Sequence, residues 1–145
     1  KDIKEFNLED RTLITSYDWR ILYELKKQNT NILRGFITLQ QDLPTTKKNV
    51  YENSPWMVKK YPMEELFLLP NIIKSLEGHV WSVFYRDVTK QNVELAHKHG
   101  LATCVWTVNR EKDIIRMIEY GVDGIITDYP KKVQEICKSK NISWF

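Results

Sequence analysis

Trp106-Thr107-Val108-Asn109, and then Gly121-Val122-Asp123-Gly124-Ile125-Ile126-Thr127-Asp128-Tyr129-Pro130, decide the fold of this chain. The first string reads as the end of a buried strand. Between the two lies a short helix whose Ile114, Met117 and Ile118 recur three and four residues apart. The second string supplies the Gly121 that ends that helix and then a complete new strand, Asp123–Thr127. Both strands carry polar groups at their carboxyl ends, which is where parallel α/β proteins assemble their sites.

The same alternation extends toward the amino terminus. Arg11–Tyr17 reads as a strand, with Asp18 as N-cap of a helix over Trp19–Lys27. The turn-prone Gln28–Asn31 leads to a strand over Ile32–Thr38. An irregular excursion at 41–62 follows, carrying Pro44, Pro55 and Pro62; a connection of that length is either functional or mobile. Met63–Leu76 reads as a helix interrupted near Pro70 and stopped by Gly78. Val80–Tyr85 is a third strand, and Thr89 or Asp87 caps the next helix, which Gly100 ends. Ala102–Val108 is the fourth strand, Asn109 caps the helix after it, and Pro130 opens the last helix. Five βα units in a row, with strands too apolar for strict alternation, predict a parallel sheet in one α/β domain spanning 1–145. No glycine-rich phosphate loop follows any strand, which argues against a dinucleotide or P-loop site.

Composition narrows the classes. The 145 residues are 42% hydrophobic and 28% charged, as in a soluble globular domain. They are fewer than the roughly 200 a whole (β/α)₈ barrel needs. A net charge of +3, from 22 basic and 19 acidic side chains, is too even for nucleic acid or an anionic membrane surface. No apolar run approaches the ~20 residues of a transmembrane helix. The expectation is a soluble protein, with cytoplasm and periplasm both open. Cys104, in a strand, and Cys137, in the last helix, read as two buried thiols rather than a disulfide.

Candidate chemistry concentrates at the strand ends. Ser16, Tyr17 and Asp18 end the first strand, Tyr85, Arg86 and Asp87 the third, Trp106, Thr107 and Asn109 the fourth, and Thr127, Asp128 and Tyr129 the fifth. For Asp18, Asn109 and Asp128, helix capping is the stronger reading. Trp106 offers a flat apolar wall and one N–H donor, so pocket lining and core packing compete evenly there. His97 and His99 lie in the last turn before Gly100, and His79 precedes a strand; all three fall at the end opposite the strand mouths, where a structural role is expected. No metal-ligand spacing occurs, and Glu9-Asp10 and Glu64-Glu65 read as solvated pairs.

The motifs T-S-Y-D-W-R at Thr15–Arg20, S-P-W at Ser54–Trp56, W-S-V-F-Y-R-D at Trp81–Asp87, W-T-V-N at Trp106–Asn109 and G-V-D-G-I-I-T-D-Y-P at Gly121–Pro130 together resemble the carboxyl-terminal part of glycerophosphodiester phosphodiesterases, which are TIM barrels. The resemblance implies the fourth to eighth strands of a (β/α)₈ barrel. It also implies hydrolysis of a glycerophosphodiester to glycerol 3-phosphate and an alcohol. In that family the acid–base histidines and the carboxylates that hold a divalent cation, Ca²⁺ or Mg²⁺, come from motifs of the amino-terminal half. Those motifs have no match in this sequence, and Glu5-Phe6 and Glu9-Asp10 do not supply them. The expectation is therefore a partial barrel with no catalytic residue, no metal ligand and no activity by itself. Its share of the substrate site would be Trp106, Tyr17, Tyr85 and Ser16, with Tyr17 standing where the family usually has phenylalanine. A missing amino-terminal half, or self-association through the free sheet edges, is expected to complete it. The competing reading is a non-catalytic half-barrel that binds or self-associates.

Overall fold

In the computed structural model, which describes residues 2–28 and 31–143, each strand pairs in parallel with the next one along the chain. The order is β1 (Leu13–Ser16), β2 (Leu33–Thr38), β3 (Val80–Phe84), β4 (Ala102–Trp106) and β5 (Gly124–Ile125). The helices are α1 (Asp2–Glu5), α2 (Trp19–Lys27), α3 (Met63–Leu66), α4 (Leu69–Ser75), α5 (Lys90–Lys98), α6 (Glu111–Tyr120) and α7 (Pro130–Ser139). Parallel pairing of consecutive strands through helical crossovers is the βα progression read from the sequence. The Gln28–Asn31 turn falls partly outside the described residues, at Asn29 and Thr30.

The register sorts the strand residues onto two faces. Phe36, Trp81, Val83, Thr103 and Val105 face the helices and are buried with Trp19, Leu22, Ile73, Val93, Ile114 and Met117. Trp19 meets Phe36 edge to face at 5.1 Å, so α2 is locked onto β2. Trp81 donates its indole N–H to Thr38 Oγ1 at 2.9 Å, which satisfies a polar atom deep in this layer. Leu13, Thr15, Leu33, Gly35, Val80, Ser82, Phe84, Ala102, Cys104 and Trp106 share the other face. Leu13 and Leu33 on this face are 44% and 41% exposed, unusual for leucines in a sheet. The outer edges of β1 and β5 have no partner strand among the described residues.

Several boundaries differ from the sequence reading. Glu9–Arg11 is a 3₁₀ turn, so β1 begins at Leu13 rather than Arg11. β5 is shorter than Asp123–Thr127. At its start Asp123 Oδ2 accepts from Thr103 N (2.7 Å) and meets His97 Nε2 (2.9 Å), and beyond its end the Thr127 hydroxyl turns to Asn109. The helix over 63–76 breaks at Phe67-Leu68, and Pro70 sits in the first turn of the second piece. Gly78 does not supply the left-handed turn; Glu77 does, with φ of 55°. Gly78 is required instead by crowding, because a Cβ there would lie 2.5 Å from Ile73 Cγ2 and 2.9 Å from Phe36 Cε2. Gly121 does take the left-handed C-cap expected of it, with φ of 78°. Among the described residues, no helix is long and apolar enough to cross a membrane.

Candidate functional site

The carboxyl ends of the strands form one rim, and the excursion after β2 is built into it rather than hanging free. Its anchor is Asn49, which is fully buried. Asn49 Oδ1 accepts from Leu39 N at 2.8 Å, and its Nδ2 donates to Tyr17 O and Ile37 O, each at 2.8 Å. One side chain therefore ties the ends of β1 and β2 to the excursion. Ser54 Oγ donates to Asn49 O at 2.5 Å, and Trp19 N donates to Trp56 O at 2.9 Å. Asp87 closes the next gap: its carboxylate accepts from Gln40 N (2.8 Å) and Gln41 Nε2 (2.6 Å), joining β2 to β3. The β4–β5 gap is closed by Asn109, whose Oδ1 accepts from Asp128 N at 3.0 Å and Thr127 Oγ1 at 3.1 Å while its Nδ2 donates to Asp128 Oδ2 at 2.7 Å.

Two aromatic groups line this rim. Trp106 is half-buried on the open face of the sheet, its ring 5.4 Å from Phe84 and its Nε1 donating to Ser82 O at 3.2 Å. Tyr17 meets Trp56 edge to face at 6.0 Å. Its hydroxyl is buried without a hydrogen-bond partner. Burial, with a smaller contribution from the charge of Asp42, pushes the phenol up to about 12. Arg20 lies 5.9 Å from the Trp56 ring and grips Asp18 through Nε and Nη2, which holds the Asp18 carboxyl below its ordinary range.

The structure divides the four residues expected to line the site. Trp106 continues the open-face alternation of Ala102 and Cys104. Tyr17, beyond the end of β1, packs on the excursion. Tyr85 lies in the turn just past β3, its ring 5.0 Å from that of Phe84, which itself packs on Trp106 at 5.4 Å. Its hydroxyl accepts from Arg86 Nε at 2.9 Å, and Arg116 of α6 lies 6.0 Å from its ring. Ser16 Oγ accepts from Asp18 N at 3.1 Å, so its hydroxyl shapes the turn out of β1.

Capping is similarly divided. Asp18 caps α2 by accepting from Arg20 N at 3.0 Å, and Thr89, not Asp87, caps α5. Asn109 and Asp128 cap nothing: the N-cap of α6 is Arg110 and that of α7 is Tyr129. They bond each other across the rim instead. Asn49 went unread in the sequence, and Asp87 was read as a strand end or a cap rather than as the clamp on Gln40 and Gln41. An asparagine among lysines in a proline-bearing segment gives no local sign that it will be buried. The histidines take structural places away from the rim. His79 Nδ1 accepts from Arg34 N, His97 meets Asp123, and His99 meets Asn71.

The rim carboxylates do not fit a divalent cation by themselves. Asp18, Asp87 and Asp128 are engaged by Arg20, by Gln40 and Gln41, and by Asn109 respectively. Among the described residues, no three histidine, cysteine or carboxylate side chains converge. What the rim offers is an aromatic, hydrogen-bonded wall.

A parallel sheet laid down strictly in chain order, with helices on one face and polar groups gathered at the strand ends, defines this chain as part of a TIM barrel. Residues 1–132 match the model of the glycerophosphoryl diester phosphodiesterase family, and the chain belongs to that family. It is 31% identical over 131 residues to a glycerophosphodiester phosphodiesterase of Caldanaerobacter subterraneus subsp. tengcongensis, covering 90% of this chain and 44% of the relative. A solved structure assigned to the same family, from Silicibacter pomeroyi DSS-3, superposes with a TM-score of 0.77 at 32% identity, over 99% of this chain and 43% of that one. An Oleispira antarctica phosphodiesterase, solved with the product sn-glycerol 3-phosphate, shares the fold with a TM-score of 0.59 at 19% identity, over 85% of this chain and 40% of its own. The chain thus spans less than half the length of the relatives it matches.

Proposed function

We propose that this chain is the carboxyl-terminal part of a glycerophosphodiester phosphodiesterase, which hydrolyses a glycerophosphodiester to glycerol 3-phosphate and an alcohol. The observation that carries the reading is the family match over residues 1–132 combined with a sheet whose two outer edges have no partner strand among the described residues. In this reading the acid–base histidines and the ligands of a Ca²⁺ or Mg²⁺ ion belong to an amino-terminal part. When bound, that cation would polarise the phosphoryl group. The residues of this chain bind and orient. Trp106 lays its ring along the glycerol or alcohol side, and Tyr17 with Trp56 forms a second wall. Ser16, in the turn out of β1, and Tyr85, packed on Phe84 beside Trp106, complete the substrate-binding set. Partial barrels of this kind seek their complement. β5 is flanked by a cavity of about 440 Å³ lined by Gly124, Ile125, Val133, Cys137 and Ile142, suited to a further βα layer.

The test joins this chain, in one polypeptide, to the amino-terminal half of the Caldanaerobacter relative. Expected are release of glycerol 3-phosphate by the chimera, none by this chain alone, and a fall in kcat/KM on Trp106→Ala with Tm little changed. A folded, monomeric chimera without activity would refute the reading. So would release by this chain alone that is abolished by substituting one of its own residues.

A further inference from the structure

Tyr61 is 3% exposed, and its hydroxyl is buried without a hydrogen-bond partner. A phenol withdrawn from water ordinarily has one. Tyr61 stands at the end of the excursion after β2 and lines a cavity of about 310 Å³ against α3 and α4. Leu68 and Ile72 supply the apolar part of that cavity, and Lys59, Glu65, Asn71 and Ser75 the polar part.

The cavity is not an unfinished edge of the barrel. It lies in the connection between β2 and β3, and helices of this chain flank α4 on both sides. Asn71 of α4 meets His99, just past α5, at 2.7 Å, and Glu77, just past α4, pairs with Lys26 of α2. Layers added at β1 or β5 join beyond those helices.

The chemistry of the cavity is of both signs. Lys59 Nζ lies 4.9 Å from the centroid of the Tyr61 ring. Burial, then the charge of Glu65, pushes the Tyr61 phenol up to about 12, so the hydroxyl keeps its proton and can donate it in a hydrogen bond. Neither Lys59 nor Glu65 forms an ion pair among the described residues. Asn71 Oδ1 faces His99, which leaves its Nδ2 as a donor. A simple anion would meet Glu65 and a simple cation would meet Lys59, each at a like charge. One molecule carrying both an ammonium and an acid group answers both. The volume stands at the lower end of ligand pockets, about 300–1,000 Å³, and suits a small molecule rather than a nucleotide.

We propose that this cavity binds a small zwitterion, with its acid group on Lys59, Asn71 Nδ2 and the Tyr61 hydroxyl and its ammonium on Glu65. The acid group is a carboxylate or a phosphate, as in an α-amino acid or in phosphoethanolamine. The proposal does not rest on the phosphodiesterase reading. The test is a chemical-shift titration of this chain with L-alanine and with O-phosphoethanolamine, with propionate and ethylamine as singly charged controls. Saturable shifts among residues 59–75 are expected with at least one zwitterion, and which of the two binds tells carboxylate from phosphate. The controls should bind about tenfold more weakly or not at all, because each leaves one charge of the cavity unanswered. Lys59→Gln and Glu65→Gln should each weaken binding about tenfold or more, and Tyr61→Phe by a smaller factor. Lys59 and Glu65 are exposed, and circular dichroism checks that their variants are folded. No saturable shift with either zwitterion, equal affinity for a singly charged control, or unchanged affinity in Lys59→Gln or in Glu65→Gln would each overturn the proposal.

Discussion

Asn49→Ala should be among the most damaging single substitutions in this chain, although nothing about residue 49 suggests it in the sequence. The amide makes three hydrogen bonds of 2.8 Å. Its loss orphans Leu39 N–H and Tyr17 C=O, whereas Ile37 C=O keeps the Trp19 indole, 3.0 Å away. A buried group left without a partner costs about 1–3 kcal/mol. Leu39 is fully buried and belongs at the upper end of that range, while Tyr17 O is partly buried and belongs near the lower. The expected loss is about 3–4 kcal/mol, a large share of the about 5–15 kcal/mol of a typical domain. Asn49→Asp sharpens the test. An ionised carboxylate can still accept from Leu39 N but is forced against two carbonyl oxygens. Protonation restores one donor, so this variant should regain stability as pH falls. Urea denaturation followed by tryptophan fluorescence measures the loss, and hydrogen exchange at the Leu39 amide locates it. A loss below about 1 kcal/mol, or unchanged protection at Leu39, would refute the view that Asn49 holds the excursion to the rim.

Other expectations follow from the same accounting. Tyr17→Phe removes a buried hydroxyl that has no partner, so it should be neutral or stabilise by up to about 1 kcal/mol, read from the urea midpoint. The phenol's raised pKa gives a matching pH signature. The stability held by neutral Tyr17 is present below about 10 and lost as pH rises toward about 12, and Tyr17→Phe should flatten that decline. His79 runs the other way. Burial, then Arg34 and Lys74, lower its pKa, and its Nδ1 must stay unprotonated to accept from Arg34 N. Its contribution is present above about 6.5 and lost as pH falls through the lowered value, so His79→Asn should lessen acid destabilisation in denaturation curves from neutral to mildly acidic pH.

The sheet and its order were legible because each βα unit advertises itself locally. Ile114, Met117 and Ile118 before Gly121, and the apolar runs Val80–Phe84 and Ala102–Trp106, carry period and punctuation that survive any tertiary context. The face that Trp106 takes was legible for the same reason: its strand sets it. The rim was not. Whether Asn109 caps its own helix or bonds Asp128, and whether Asp87 caps α5 or clamps Gln40, depends on which strand end lies alongside. That information belongs to the assembled sheet. The resemblance to the family carried function further than residue chemistry could, because a wall without acid, base or metal ligand names no reaction.

Glu77 and Gly78 lie side by side at the entrance to β3, and their roles are the reverse of what their identities suggest. The glutamate holds the left-handed conformation at φ 55°, which glycine would adopt freely. The glycine holds a space into which no side chain fits. The two positions should therefore drift very differently among descendants of this chain. At 77, glycine or asparagine is readily admitted, at the cost of only an exposed ion pair with Lys26. At 78, even alanine must displace Ile73 or Phe36, and through Phe36 the seat of Trp19. A library randomised at both codons and selected for folding would come back varied at the charged position and uniform at the neighbouring glycine.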